Sequence, residues 1–295
     1  MKCYEKQYAD ALIQIYGIAH CMSLDRSDQI LQASIPGLTF KVDVDGEFPI
    51  LHSKLIQYEK AEQEVLQLWK QTDRDSVIGH RLISICEEHS TVVKRSSSTK
   101  SAYTQVSEYL SNRKNDENSI KCVFGNILGD AKIKYLPMLH STDWVISKGQ
   151  LNLVISQCDG ELLNEIPHVT TQYAMLMIIL AKLLDVKPGI LTHTIANAWV
   201  NARNVSNIEK LLNIYYVWNI FETERKSDFL TYDSFTKYLK GNVNESFQYD
   251  SLEEMHTAFH KIVNTDTRFI VEENIHEFLD VTTDNAFIRD YEFIR

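Results

Sequence analysis

Apolar residues recur at helical spacing from Tyr8 to Ile18, and from Leu31 to Val44 they alternate with polar ones, which predicts a helix followed by strand structure. Ile56 to Trp69 predicts a strongly amphipathic helix. Alternation returns in Ile120 to Asn126 and in Trp144 to Ile155, the latter as a hairpin turning at Ser147-Lys148-Gly149. Thr170 to Leu184 predicts a long helix stopped by Asp185 and Pro188-Gly189, and a strand follows around Ile190 to Val200. Beyond it, Val205 to Asn219, Tyr232 to Leu239, Leu252 to Val263 and Glu272 to Leu279 predict further helices. Elements of both kinds in this order predict an α/β (α+β) chain.

The 295 residues can bury a sizeable core, as one large domain or two smaller ones. The longest apolar run, Ala174 to Leu184, contains Lys182 and falls short of the ~18 residues of a membrane span, so it predicts a buried helix. The first residues hold no apolar signal core, which predicts a cytoplasmic protein without a membrane role. A formal charge of −10 with dispersed acids excludes a general nucleic-acid binder. Lys94 to Ser101 is the single basic run, and its Ser/Thr content predicts a linker or loop. Richness in Asn, Lys, Ile and Tyr is compatible with an AT-rich viral (phage) or bacterial genome.

Cys3, Cys21, Cys86, Cys122 and Cys158 form no Cys-x-x-Cys pair and no even set, which predicts reduced thiols rather than a disulfide framework or zinc site. His256 and His260 stand four apart but lack the Glu of a His-Glu-x-x-His pattern, so no metal is expected.

Leu136-Pro137-Met138-Leu139-His140, then Gln157-Cys158-Asp159-Gly160-Glu161 and Ile166-Pro167, resembles the core of the thymidylate synthase and pyrimidine hydroxymethylase family. Phe48 to Lys54 resembles the family's Phe-Pro-Leu-Val-Thr-Thr-Lys strand, and Glu62 to Trp69 the helix after it. Asn115 to Ser119 resembles the segment before the paired phosphate arginines, and Leu151 to Asn204 is the densest block. The resemblance covers roughly residues 1 to 204. It implies a layered sheet with a long buried helix in a thymidylate-synthase-like core (1–204). A divergent, mainly helical extension (205–295) packs on that core. In that family a second copy of the subunit covers His140 to Trp144, which implies a homodimer.

The same resemblance implies that the family's chemistry is missing. Its nucleophilic cysteine falls on Leu139, which cannot attack a pyrimidine. The phosphate arginine falls on Cys158, followed by Asp159, whose carboxylate repels phosphate. The arginines shared across the dimer fall on Ile120 and Lys121. The base-reading asparagine falls on Val169, and the His-x-Tyr that holds the sugar falls on Trp199 and Asn201. Glu64 stands in place of the catalytic glutamate and Glu161 of the characteristic aspartate, with His140 beside the lost nucleophile. Arg26, Lys121 and Asn197 remain as ligand-binding candidates. With no cofactor implied, the leading expectation is a non-catalytic interaction, regulatory or structural subunit with a protein partner. The alternatives are a pyrimidine-nucleotide enzyme of methyl- or hydroxymethyltransferase type, using Glu64, His140 or Cys158, and a nucleotide sensor. In the extension, acidic faces on the helices Ser251 to Val263 and Glu272 to Leu279 suit a basic partner protein.

Overall fold

The alternating stretch after residue 31 forms one long strand, β1 (Gln32–Asp43), preceded by helix α1 (Cys3–Ser23). This is a computed structural model; it describes residues 2–23, 31–70, 81–85, 107, 110–111, 119–125, 139–225, 252–273, 275–291 and 293. Helix α2 (Tyr58–Lys70) follows, then β2 (Arg81–Ile85), β3 (Ser119–Gly125), β4 (Leu139–Ser147) and β5 (Gln150–Glu161). Next come α3 (Glu165–Leu183), β6 (Lys187–Asn201) and α4 (Val205–Arg225). The described chain closes with α5 (Leu252–Asn264) and the strands β7 (Arg268–Val271) and β8 (Ala286–Arg289).

Six strands form one sheet in the order β1-β6-β5-β4-β3-β2. Only β5 and β6 run parallel among these pairs, joined by α3 as the crossover. The β4–β5 hairpin turns through Lys148 and Gly149, both at positive φ, which matches the right-handed twist of its strands. Helices α1, α3 and α4 contribute buried residues to one hydrophobic cluster with the inward face of the sheet, where Phe40, Leu153, Ile155 and Leu191 lie. By composition α3 is long and apolar enough to cross a membrane, and 67% of that stretch is buried inside this chain.

One irregularity crosses three strands. In β5 the buried positions are Leu151, Leu153, Ile155 and Gln157, after which the alternation slips and Gly160 is buried next. In β6 it slips between Ile195 and Ala198, and in β1 between Ile35 and Phe40 around Gly37, which has φ +69°. The registers place Cys158, Ala196 and Gly37 in one row, so the sheet kinks along a line. Beyond the kink, side chains of β5 and β6 are aimed differently from those before it.

Three sequence expectations need correction. Phe48 to Lys54 is irregular, with bends at residues 52–54, and joins no ladder; Thr171 Oγ1 donates to Pro49 O at 2.9 Å and Tyr291 OH to Leu51 O at 3.0 Å, so side chains hold it instead. Glu272 to Leu279 is not a helix. Its apolar residues Ile275 and Phe278 enter the core from an irregular segment between β7 and β8, with one 3-10 turn at Phe278–Asp280. Ser141, Thr142 and Trp144 need no second sheet to be buried, because the single chain covers them to 1%, 0% and 0% exposure. The helix expected over Tyr232 to Leu239 and the basic run from Lys94 lie outside the described residues.

Candidate functional site

The kink places β5 and β6 residues as direct neighbours at the rim of the sheet. Asp159 lies opposite Asn197, and Glu161 opposite Trp199. The Asp159 carboxylate accepts from Asn197 Nδ2 at 2.7 Å on Oδ1 and from Trp199 Nε1 at 2.9 Å on Oδ2. Both oxygens of the acid are therefore engaged by neutral donors, and the three side chains close on one another.

Beneath this rim runs a buried polar relay. Gln157 Nε2 donates to Asp159 O at 2.9 Å and to Glu165 Oε1 at 2.7 Å. With its amide nitrogen so used, Gln157 Oε1 accepts from His193 Nε2 at 2.8 Å. The other ring nitrogen, Nδ1, lies 2.9 Å from Thr170 Oγ1, whose hydroxyl donates to Ile166 O at 2.8 Å. Burial pushes the His193 pKa down to about 3, so the ring is neutral. Gly160 makes the relay sterically feasible: a Cβ there would stand 2.8 Å from Gln157 Nε2 and 2.9 Å from Ile166 Cγ1. Burial first, then the charges of Asp159 and Glu161, hold the Glu165 carboxyl above the usual carboxylate range.

Beside the relay opens a cleft of about 540 Å³. One wall is residues 54–57 with α2, the other is the turn into α3. Across it Glu64 Oε2 receives His168 Nε2 at 2.8 Å and Gln172 Nε2 at 3.0 Å, while Lys60 Nζ lies 3.7 Å from Glu64 Oε1. Glu161 Oε2 accepts from Asn164 N at 2.6 Å and Asn164 Nδ2 at 3.1 Å. The Lys54 ammonium donates to Leu163 O and Asn164 Oδ1, and burial lowers its pKa.

The 51–57 wall is fixed from behind by buried groups. Glu5 accepts from His52 N at 2.8 Å, Ser53 N at 3.2 Å and Tyr215 OH at 2.7 Å. Its burial raises its pKa, and those donors oppose the rise. Tyr291 OH accepts from Ile56 N at 2.9 Å and lies 3.1 Å from Lys54 O. The C-terminal segment thus shapes the cleft.

Of the candidates from the sequence, Glu64 and Glu161 both line this cleft, whereas Asn197 and Trp199 join Asp159 at the rim. Asn201 accepts from Arg203 N at 2.9 Å and caps the following turn. Val169 is half-buried against the core. Cys158 is an exposed free thiol on the kink row. Leu139 begins β4 opposite Gln157, with His140 next to it, and Lys121 pairs with Asp143 in β3; their side chains and the whole of Arg26 lie outside the described residues. His168, Glu165, Gln172 and Gln157 were not singled out in the sequence. Glu165, His168 and Gln172 form a polar stripe at helical spacing on an otherwise apolar helix, a signal visible in the sequence. Among the described residues no three His, Cys, Asp or Glu side chains gather as a metal site.

Residues 6–218 match the family described as Thymidylate synthase. The chain is also 25% identical over 193 residues to a thymidylate synthase of Clostridium beijerinckii, an alignment spanning 59% of this chain and 69% of that protein.

Proposed function

Because this chain belongs to the thymidylate synthase family, we propose that it keeps the family fold without the family's cysteine chemistry and acts as an interaction, regulatory or structural subunit. The observation that carries this reading is the Asp159 carboxylate held by Asn197 and Trp199. By the family resemblance Trp199 stands at a sugar contact, Asp159 follows the position of the phosphate arginine and Asn197 lies near a folate-side acid, and here the three satisfy one another around a negative charge. An enzyme can change its nucleophile, but it must still hold its substrate to lower the barrier. Leu139 at the nucleophile position points the same way.

The partner of this reading includes a second copy of the chain. The registers line up Lys41, Thr192, Val154 and Asp143 in one row on the outward face of the sheet, and Val154 is 36% exposed there. The β-branched Val154 and Thr192 at the centre of this row suit a sheet packed face to face on another, with the charged Asp143 and Lys41 at its ends.

A second reading, a nucleotide sensor or an enzyme of altered chemistry, draws on the cleft in which Glu64 orients His168. Tritium release from 5-tritiated dUMP in the presence of methylene-tetrahydrofolate separates the first reading from an enzyme of altered chemistry, and calorimetric binding of dUMP separates it from a sensor. No release is expected from the chain or from Leu139→Cys, because one thiol does not restore the phosphate and base contacts. Release by the unaltered chain would reject the non-catalytic reading.

A further inference from the structure

The turn from β5 into α3 is tied by two carboxylates that cross. Glu161, the last residue of the strand, accepts from Asn164 N at 2.6 Å. Glu165, the first residue of the helix, reaches back and accepts from Glu161 N at 3.1 Å. The two bonds are reciprocal, as in a capping box. Glu165 has a second donor in Gln157 Nε2 at 2.7 Å, so each of its oxygens receives one hydrogen. A carboxylate accepts both, whereas a carboxyl carries its own hydrogen, which turns one of the two oxygens from acceptor into donor. Gln157 is held in its orientation, because its nitrogen also donates to Asp159 O at 2.9 Å and its oxygen faces His193 Nε2 at 2.8 Å.

Charged and titratable groups meet this turn from every neighbouring element. β5 supplies Asp159 and Glu161, whose buried Oε1 accepts no hydrogen bond among the described residues. Lys54 comes over from the 51–57 wall and is spent on Leu163 O and Asn164 Oδ1. Glu64, with Lys60 beside it on α2, holds His168 of α3. His193 of β6 is neutral, and the Tyr8 hydroxyl of α1 donates to Leu162 O at 3.1 Å. Among the described residues no cation pairs with Glu165. Burial, and behind it the charges of Asp159 and Glu161, outweigh the two donors and hold its carboxyl above the usual range.

We propose that Glu165 is a proton-operated latch: ionised, it holds the end of β5 to the start of α3, and a proton on it releases Glu161 N or Gln157 Nε2. Glu161, Asn164, Glu165 and His168 line the cleft, so release loosens one of its walls. The latch operates under either reading of the chain's function.

The full chain, isotopically labelled, is followed by nuclear magnetic resonance from about pH 8 to about pH 4. The signals read are the Glu161 backbone amide and the Gln157 side-chain amide, the two donors to Glu165. Both are expected to titrate with one midpoint above 4.5, and at least one to move as a freed donor does. Protection of that donor from hydrogen exchange should fall at least about fivefold at the acid end. Glu165→Gln keeps one acceptor oxygen and does not ionise, so both signals should stay level. Asp159→Asn leaves the latch residues in place and removes one repelling charge, so it should lower the midpoint. His168→Gln should leave the titration as it is. Signals that do not titrate, a midpoint at or below 4.5, or one that Asp159→Asn leaves unmoved overturn the proposal. So does a titration that survives in Glu165→Gln or vanishes in His168→Gln.

Discussion

Trp199 Nε1 donates to Asp159 Oδ2 at 2.9 Å across the parallel strands β5 and β6, two residues along from the pair that face each other directly. The contact exists because the sheet kink slips the alternation in both strands, turning an acid and an indole toward one point. It engages the Asp159 carboxylate within the chain, one residue after Cys158, where the family resemblance implies an anion-binding arginine.

Trp199→Phe removes this donor and leaves Asp159 with Asn197. Since the bond is to a charged group at a half-exposed rim, a loss of about 1 kcal/mol in unfolding free energy is expected from urea titration. An unchanged urea midpoint would show that the contact contributes nothing.

Tyr215→Phe deletes one of the donors to the buried Glu5 carboxylate, at an expected cost of about 1–3 kcal/mol. The sign of its pH dependence follows from the raised Glu5 pKa. A raised carboxyl contributes stability that is full below the unfolded value of 4.5 and is lost as pH rises through the folded value. Tyr215 lowers that folded value, so its removal raises it further and the deficit grows from acid to neutral pH. A deficit that shrinks with rising pH would contradict the assignment.

His193 acts in the opposite sense. Its folded pKa of about 3 lies below the ordinary 6.5, so between these values the unfolded chain takes up a proton that the folded chain refuses. The stability this buried ring contributes is present above 6.5 and drains away as pH falls toward 3. His193→Gln is expected to be less stable at neutral pH and to show a shallower decline on acidification. Parallel stability curves for the two proteins would remove His193 from the acid response.

Much of the fold was legible in the sequence because burial periodicity fixes both kinds of element. The apolar run at Thr170 to Leu184 is the core of α3, and Lys148-Gly149 turns the hairpin where a glycine at positive φ is needed. The kink was not legible. Gly37, Ala196 and Cys158 sit far apart in the chain, and only strand registers bring them into a row. The error at Glu272 to Leu279 has a related cause: Ile275 and Phe278 are spaced as on a helix, yet docking against the core decides their backbone. At the site, Glu64 and Glu161 could be placed by resemblance, whereas His168 has no counterpart among the motifs and emerged through its 2.8 Å contact with Glu64.

The proposed face-to-face dimer is tested at Val154. Light scattering of the chain should report about twice 34.1 kDa, and Val154→Arg should return a folded monomer, since a charge at a desolvated interface is costly while the same side chain is tolerated at an exposed strand position. A dimer that survives Val154→Arg would place the interface elsewhere.

The claim that cysteine chemistry is absent is tested most directly by intact-mass spectrometry after incubation with 5-fluoro-dUMP and methylene-tetrahydrofolate. A thiolate adding to C6 would trap the nucleotide covalently. Since the family resemblance sets Leu139 at the nucleophile position, the chain is expected to keep its own mass. A stable species heavier by the nucleotide and the folate would show that another residue, with Cys158 the first to examine, performs the attack.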